Sequence, residues 1–166
     1  MKRGIPKAFT SWTGVSMTLT AWVGLAACHG PQAYLKGDRQ PMLSYERTMC
    51  FGPCPSFRLE VDRSGAARFN GRAHVEPLGA HTATWSEVDI RAAADLAAAT
   101  RLDRKVGTYD NPMIMDLPAT RLSFGEFKVM DRIDGPDLEG LYALLDSLIA
   151  ATDWMPETKG DPSGQR

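Results

Sequence analysis

Between Phe57 and Asp62 apolar and charged residues alternate without a break: Phe57-Arg58-Leu59-Glu60-Val61-Asp62. A period of two marks a strand with one buried and one wet face, which assigns Phe57, Leu59 and Val61 to a core. Asp62-Arg63-Ser64-Gly65 follows as a turn, with Gly65 free to take a positive φ. Ala67 and Phe69 carry the apolar face onto a returning strand, and Asn70-Gly71 reads as a second turn before a short strand over Ala73 to Glu76. A second hairpin is written the same way. Thr120, Leu122 and Phe124 alternate up to Gly125-Glu126, and Phe127 and Val129 alternate after it. Leu43 to Met49 is a further strand.

Two helices are expected between and after these strands. Ser86 caps the first, with Asp89 three residues on and Trp85 and Ile90 at the flanking staple positions. Its body, Glu87 to Thr100, is rich in alanine, the best helix former. The second begins near Pro136 and carries Leu138, Leu141, Leu145, Leu148 and Ile149 as a helical stripe. Hairpins followed by helices predict an α+β domain: an antiparallel sheet of about five strands, two hairpins plus an N-terminal strand, with two helices packed on one face.

The first residues have a secretory order. Lys2, Arg3 and Lys7 precede an apolar stretch running through Val15, Leu19, Trp22, Val23 and Leu25, and no acid appears before Asp38. That is the order of a signal peptide. Six hydroxyl residues between Thr10 and Thr20 argue against a membrane-spanning helix, which needs roughly 20 mainly apolar residues. The stretch ends Leu25-Ala26-Ala27-Cys28, which resembles the lipobox of bacterial lipoproteins. That resemblance implies cleavage before Cys28, acyl chains on that cysteine as the new N-terminus, and a lipid anchor in the cell envelope. His29 follows where an Asp would signal inner-membrane retention in the enteric pattern, which points to the outer membrane, facing the periplasm. The expected organisation is a signal peptide over 1–27, a lipid-anchored tether over 28–41, one domain over 42–154 and a disordered tail over 155–166. Loss of the three leader cations from 19 Lys and Arg leaves 16 against 20 Asp and Glu, a net charge of −4. Such a balance gives no general attraction to nucleic acid.

With Cys28 acylated, Cys50 and Cys54 remain, in Cys50-Phe51-Gly52-Pro53-Cys54-Pro55. In an oxidising compartment an isolated pair is expected to form a disulfide, here across a Gly-Pro turn. Two alternatives stand beside this staple. A dithiol redox role has the wrong spacing for the thioredoxin type, which opens a helix. A copper site resembles the Cys-x-x-x-Cys-Pro motif of the Sco copper chaperones, and His74 and His81 would then supply a further ligand. Those chaperones place a helix after the motif, whereas Ser56 to Asp62 alternates as a strand.

A larger resemblance covers Leu43 to Trp154. Ser44-Tyr45-Glu46-Arg47, then Cys50-Phe51-Gly52 and Cys54-Pro55, then Asn70-Gly71, Gly79-Ala80-His81 and Asp116-Leu117-Pro118 are similar to an uncharacterised family of bacterial envelope proteins, domain of unknown function 6438. Phe57 stands where that family often has Tyr, and Ala66 where it often has Thr. The resemblance implies an architecture and no activity.

Other candidates carry less. His29, His74 and His81 lack an accompanying nucleophile motif, so loop or surface roles are expected for them. Asp103, Asp110 and Asp116 lack the oxygen spacing of a calcium loop. Met113-Ile114-Met115 is expected in the core. No catalytic residue and no cofactor is assigned. The expectation is a non-enzymatic envelope module, held to the membrane by its N-terminal lipid, that binds an envelope protein or small ligand; the alternative is a periplasmic copper or thiol-redox protein working through Cys50 and Cys54.

Overall fold

In a computed structural model of the protein, residues 30–38, 40–111, 113–114 and 116–157 are described. In chain order they form α1 (Gln32–Leu35), β1 (Leu43–Arg47), β2 (Ser56–Val61), β3 (Ala66–Ala73), β4 (Gly79–Thr84), α2 (Glu87–Ala99), a 3-10 turn (Leu102–Arg104), β5 (Gly107–Tyr109), β6 (Thr120–Phe124), β7 (Phe127–Asp131), α3 (Glu139–Ala151) and β8 (Met155–Pro156). One sheet holds all the strands, in the order β5-β7-β6-β1-β2-β3-β4-β8. Every neighbouring pair is antiparallel except β5 with β7, which is parallel.

The alternation read from Phe57 to Val61 governs the layering. Leu59 lies opposite both Tyr45 and Phe69, and Tyr45 opposite Leu122, so one face of the sheet is an apolar row from β3 to β6. The helices pack on that face. Ala93, Ala94 and Ala97 of α2 and Leu141, Leu145 and Ile149 of α3 are buried against it. Rings extend the row across the strands: Tyr142 stacks on Tyr45 at 5.8 Å, Tyr45 meets Phe57 at 5.4 Å, Phe57 meets Phe69 at 5.4 Å, and Phe69 stacks on Trp154 at 5.1 Å. The α2 start is as the sequence implies: Ser86 and Asp89 form a reciprocal capping box, and Trp85 is buried beside it.

The expectation of about five antiparallel strands and two helices is corrected to an eight-stranded mixed sheet with three helices. Three strands escaped because they lack a large apolar alternation. β4 reads Gly-Ala-His-Thr-Ala-Thr, β5 has three residues and β8 two, and all lie at the margins of the sheet, where packing asks little of side chains. Asn70-Gly71 is not a turn. β3 runs through it to Ala73, and the chain reverses at His74, whose φ is 51°. Gly71 is needed for a different reason: the Pro77 carbonyl sits where a Cβ would stand, a close backbone approach of the kind glycine marks in a strand. Gly65 does take a positive φ, 87°, as its turn requires.

The stretch expected as a tether is corrected as well. Gln32–Leu35 is helical, and Tyr34 is completely buried. Four residues cannot hold a helix alone, so tertiary contacts hold this one. The Tyr34 ring lies 4.9 Å from Phe127 and 5.5 Å from Phe124. Its hydroxyl donates to the Ala97 carbonyl at 3.2 Å and accepts from the Asp103 amide at 3.3 Å, and the Arg63 guanidinium donates to the Leu35 carbonyl. At the other end, β8 pairs with β4 and the Glu157 amide donates to the Ala80 carbonyl at 3.0 Å, so the first residues of the expected tail belong to the sheet. The remainder of the tail, the signal peptide and Cys28 lie outside the described residues.

Replacing Tyr34 by Ala is expected to cost about 3–5 kcal/mol, the range for truncating a buried large aromatic. Urea unfolding of the full chain checks this. An unchanged midpoint would mean that the segment before Pro41 is a free tether after all.

Candidate functional site

The end of the sheet at which β1 stops and β2 starts gathers the distinctive sequence. β1 ends at Arg47, and the chain loops out through Met49 to Pro55 before re-entering the sheet at Ser56. Cys50 and Cys54 are joined by a disulfide, with their Cα atoms 5.8 Å apart. The loop is anchored at its base: the Thr48 amide donates to the Ala119 carbonyl at 2.9 Å, the Ala119 amide to the Thr48 hydroxyl at 2.7 Å, and Ser56 Oγ to the Arg47 carbonyl at 3.2 Å. Phe51 itself is 95% exposed at the tip, although its amide reaches the Asp116 carbonyl at 3.4 Å.

That last bond ties the disulfide loop to the segment before β6. Arg132 secures this second loop by donating to the Ile114 carbonyl at 3.0 Å and pairing with Asp110 at 3.3 Å. Met113 was expected in the core and is instead 89% exposed, while Ile114 is half-buried and Met115 lies outside the described residues. The two joined loops therefore present Met49, Phe51, Met113 and Leu117 to solvent at one end of the domain. Large apolar side chains held out on a braced scaffold are a mark of interaction surfaces, where Phe and Met are enriched.

Beside this end, under the start of α3, lies a polar cavity of about 450 Å³ lined by Arg47, Asp131, Leu138, Glu139, Tyr142 and Asp146 among others. Arg47 is on the helix side of β1, two residues after Tyr45. Its Nε donates to the Tyr45 hydroxyl at 2.8 Å and its Nη2 to Asp146 at 2.6 Å, while the Tyr45 hydroxyl donates to the other Asp146 oxygen at 3.1 Å. Burial raises the Asp146 pKa, against the lowering charge of Arg47 and the hydroxyl of Tyr45. Burial, with the Asp146 charge adding, raises that of Tyr45 and keeps the phenol protonated. Across the cavity, burial raises the Asp131 pKa, and burial followed by the Asp131 charge raises that of Tyr142. No histidine, serine or thiol hydrogen-bonds to Asp131 or Asp146 among the described residues.

The sequence pointed to Cys50 and Cys54 and missed this cavity, because its walls come from β1, β7 and α3. One signal was available: Arg47 falls on the buried side of a strand, where a charge demands a partner. His74 sits exposed in the turn after β3, one residue beyond the Ser56–Ala73 pair, and His81 lies in β4 opposite Phe69 with its Nδ1 3.3 Å from the Gly79 carbonyl. No three His, Cys, Asp or Glu among the described residues are grouped so as to hold a metal ion. Asp103 is paired with Arg101 at 3.1 Å and Asp110 with Arg132.

Comparison with protein families gives one match over residues 41–149, to a domain of unknown function (DUF6438). The chain belongs to this family. The matched region runs from the residue before the core methionine Met42 to the end of the α3 stripe, and takes in both loops and the cavity; α1 and β8 lie outside it. No curated protein and no solved structure matches the chain.

The raised Asp131 pKa has a measurable consequence. A carboxyl whose folded pKa lies above its unfolded one subtracts stability at neutral pH, and the loss is relieved as the pH falls through the folded value. Asp131→Asn is therefore expected to melt above the wild type at pH 7, with the gap closing below about pH 4, the unfolded aspartate range. A lower melting point at pH 7 would show that the charge is stabilised where it stands.

Proposed function

We infer that this chain is an exported lipoprotein, anchored through acyl chains on Cys28, whose domain is a non-enzymatic binding module of the cell envelope. It engages a protein partner through the disulfide-closed end of the sheet. The observation that carries this reading is Phe51, almost fully exposed at the tip of a loop that the Cys50–Cys54 disulfide and the Thr48–Ala119 hydrogen bonds hold in shape. A flexible loop would lose most of an aromatic contact to the entropy of ordering it, whereas a braced one keeps it. The disulfide also supports an oxidising destination. Tyr34 adds orientation: it is docked beside the β6–β7 turn, at the end of β1 opposite the disulfide loop. An anchor at Cys28 then leaves Phe51 on the side of the domain away from it.

The anchor is tested by Cys28→Ser. Radiolabelled palmitate is expected to enter the wild type and not the variant, which should also keep its leader; equal label in both would remove the lipoprotein reading.

The binding surface is tested in cells with a photo-crosslinking residue at Phe51 and, as control, at Glu60 on the sheet. Position 51 is expected to give a discrete crosslinked product and position 60 none of that mass. Replacing Cys50 and Cys54 by Ser should cost about 2 kcal/mol of stability, from closing so short a loop, and should weaken the product. Identical patterns at both positions would contradict a site at this end. Free thiols that bind Cu(I) in protein taken from cells would replace the binding reading with the copper one.

A further inference from the structure

The face of the sheet turned away from the helices has no described element over it, and its charge is opposite to that of the molecule. Alternate residues of the central strands stand on it. Five are cations, Arg58, Arg68, Arg72, Arg121 and Lys128, all exposed. Three carboxylates answer them: Asp62, just after β2, sets its charge against Arg68. Glu46 is clamped between Arg72 at 2.7 Å and Arg121 at 3.4 Å, and Glu60 pairs with Arg58 at 2.5 Å. The face thus has a net charge of +2, on a chain that is −4 from Cys28 onward. Arg68 on β3 and Lys128 on β7 mark its two sides, Arg68 facing the Asp62 charge without a close ion pair. They lie four strand spacings apart, about 19 Å.

A broad cationic face of this kind fits an extended anionic surface better than a small ligand. It carries no aromatic ring, so unpaired bases would find nothing to stack on. The chain leading to it is short: Cys28 is six residues before Tyr34, whose ring is fixed in the core. Since Gln32–Leu35 is helical, the connection spans less than the reach of six extended residues, about 20 Å. An acylated Cys28 therefore holds the domain against the bilayer. We propose that the open face of the sheet lies on the anionic headgroups of the membrane in which Cys28 is anchored, a second attachment that orients the domain. This rests on the lipoprotein reading above. A lipid chain and a basic patch are complementary membrane signals, and each cation near an anionic leaflet adds attraction that salt removes.

The test uses the full chain with Asn70→Cys, on the open face of β3 beside Arg68 and Arg72, carrying an NBD fluorophore; a label at Asp95→Cys on α2 is the control. Protein is reconstituted on vesicles of phosphatidylcholine alone or with phosphatidylglycerol, and bleaching by dithionite is timed. On the anionic vesicles the label at position 70 should bleach several-fold more slowly, and the label at 95 should not change. The protection should vanish in about 1 M salt, where the Debye length is about 3 Å. Arg68→Glu with Lys128→Glu should restore fast bleaching without altering the melting curve, each removed cation weakening the face-down state roughly five-fold. Equal bleaching on both vesicle types overturns the proposal, as does protection by soluble heparin but not by phosphatidylglycerol, which would make the partner a soluble polyanion. If the protein washes off neutral vesicles, the anchor reading has failed. Salt-sensitive flotation with anionic vesicles alone would still support the face, and flotation with neither would overturn it.

Discussion

Strand β1 is the seam on which both halves of the sheet depend. Its five residues pair with β2 on one side and with β6 on the other, and no other strand joins the two hairpins. Because side chains alternate, Leu43, Tyr45 and Arg47 enter the helix layer while Ser44 and Glu46 stand on the open face. A one-residue slip would exchange these sets, burying Glu46 and exposing Tyr45. Tyr45 opposes that slip most strongly, since its ring is wholly buried between Phe57 and Tyr142 and its hydroxyl is satisfied by Arg47 and Asp146. The Arg47–Asp146 pair is partly solvated, so its worth lies in position more than in stability.

What could be read from the chain follows the same division. The hairpin around Phe57 to Phe69, the hairpin around Leu122 to Val129, the Ser86 capping box and the leucine stripe of α3 all carry a strong period or cap, because each packs against the core with most of its length. α1 was hidden because a single side chain does its work. Around Tyr34 the glycines and prolines at 30, 31, 37 and 41 look like a linker, and nothing local tells that one ring will fill the gap between Phe124 and Phe127. β4 was hidden because its partners, not its own residues, supply the apolar surface. Asn70-Gly71 misled because a glycine within a strand can mark a close backbone approach, here of the Pro77 carbonyl, instead of a turn.

The candidate site was half legible for a related reason. Two cysteines with a Gly-Pro turn between them are a local signal, and their disulfide follows from local geometry. The exposed Met113 and the cavity under α3 depend on how distant segments meet: Tyr142 and Asp146 share one face of α3 at i,i+4, but Asp131 and Arg47 come to them from β7 and β1. The domain distributes its surfaces around β1: a helix layer that buries the apolar row, a loop end that exposes Phe51, and a charged open face around Glu46.

Native-state hydrogen exchange at single-residue resolution tests the central claim, that β1 joins both halves into one cooperative unit to which α1 also belongs. The amides of Tyr45 and Glu46 should be among the slowest in the molecule and exchange only by global unfolding, together with those of Leu59 and Leu122. The Tyr34 amide, bonded to the Pro31 carbonyl at 3.1 Å, should open well above the free-chain limit, and the β5 and β8 margins should open first. Amides of β2 and β6 that open at separate free energies, with β1 following only one of them, would contradict the account.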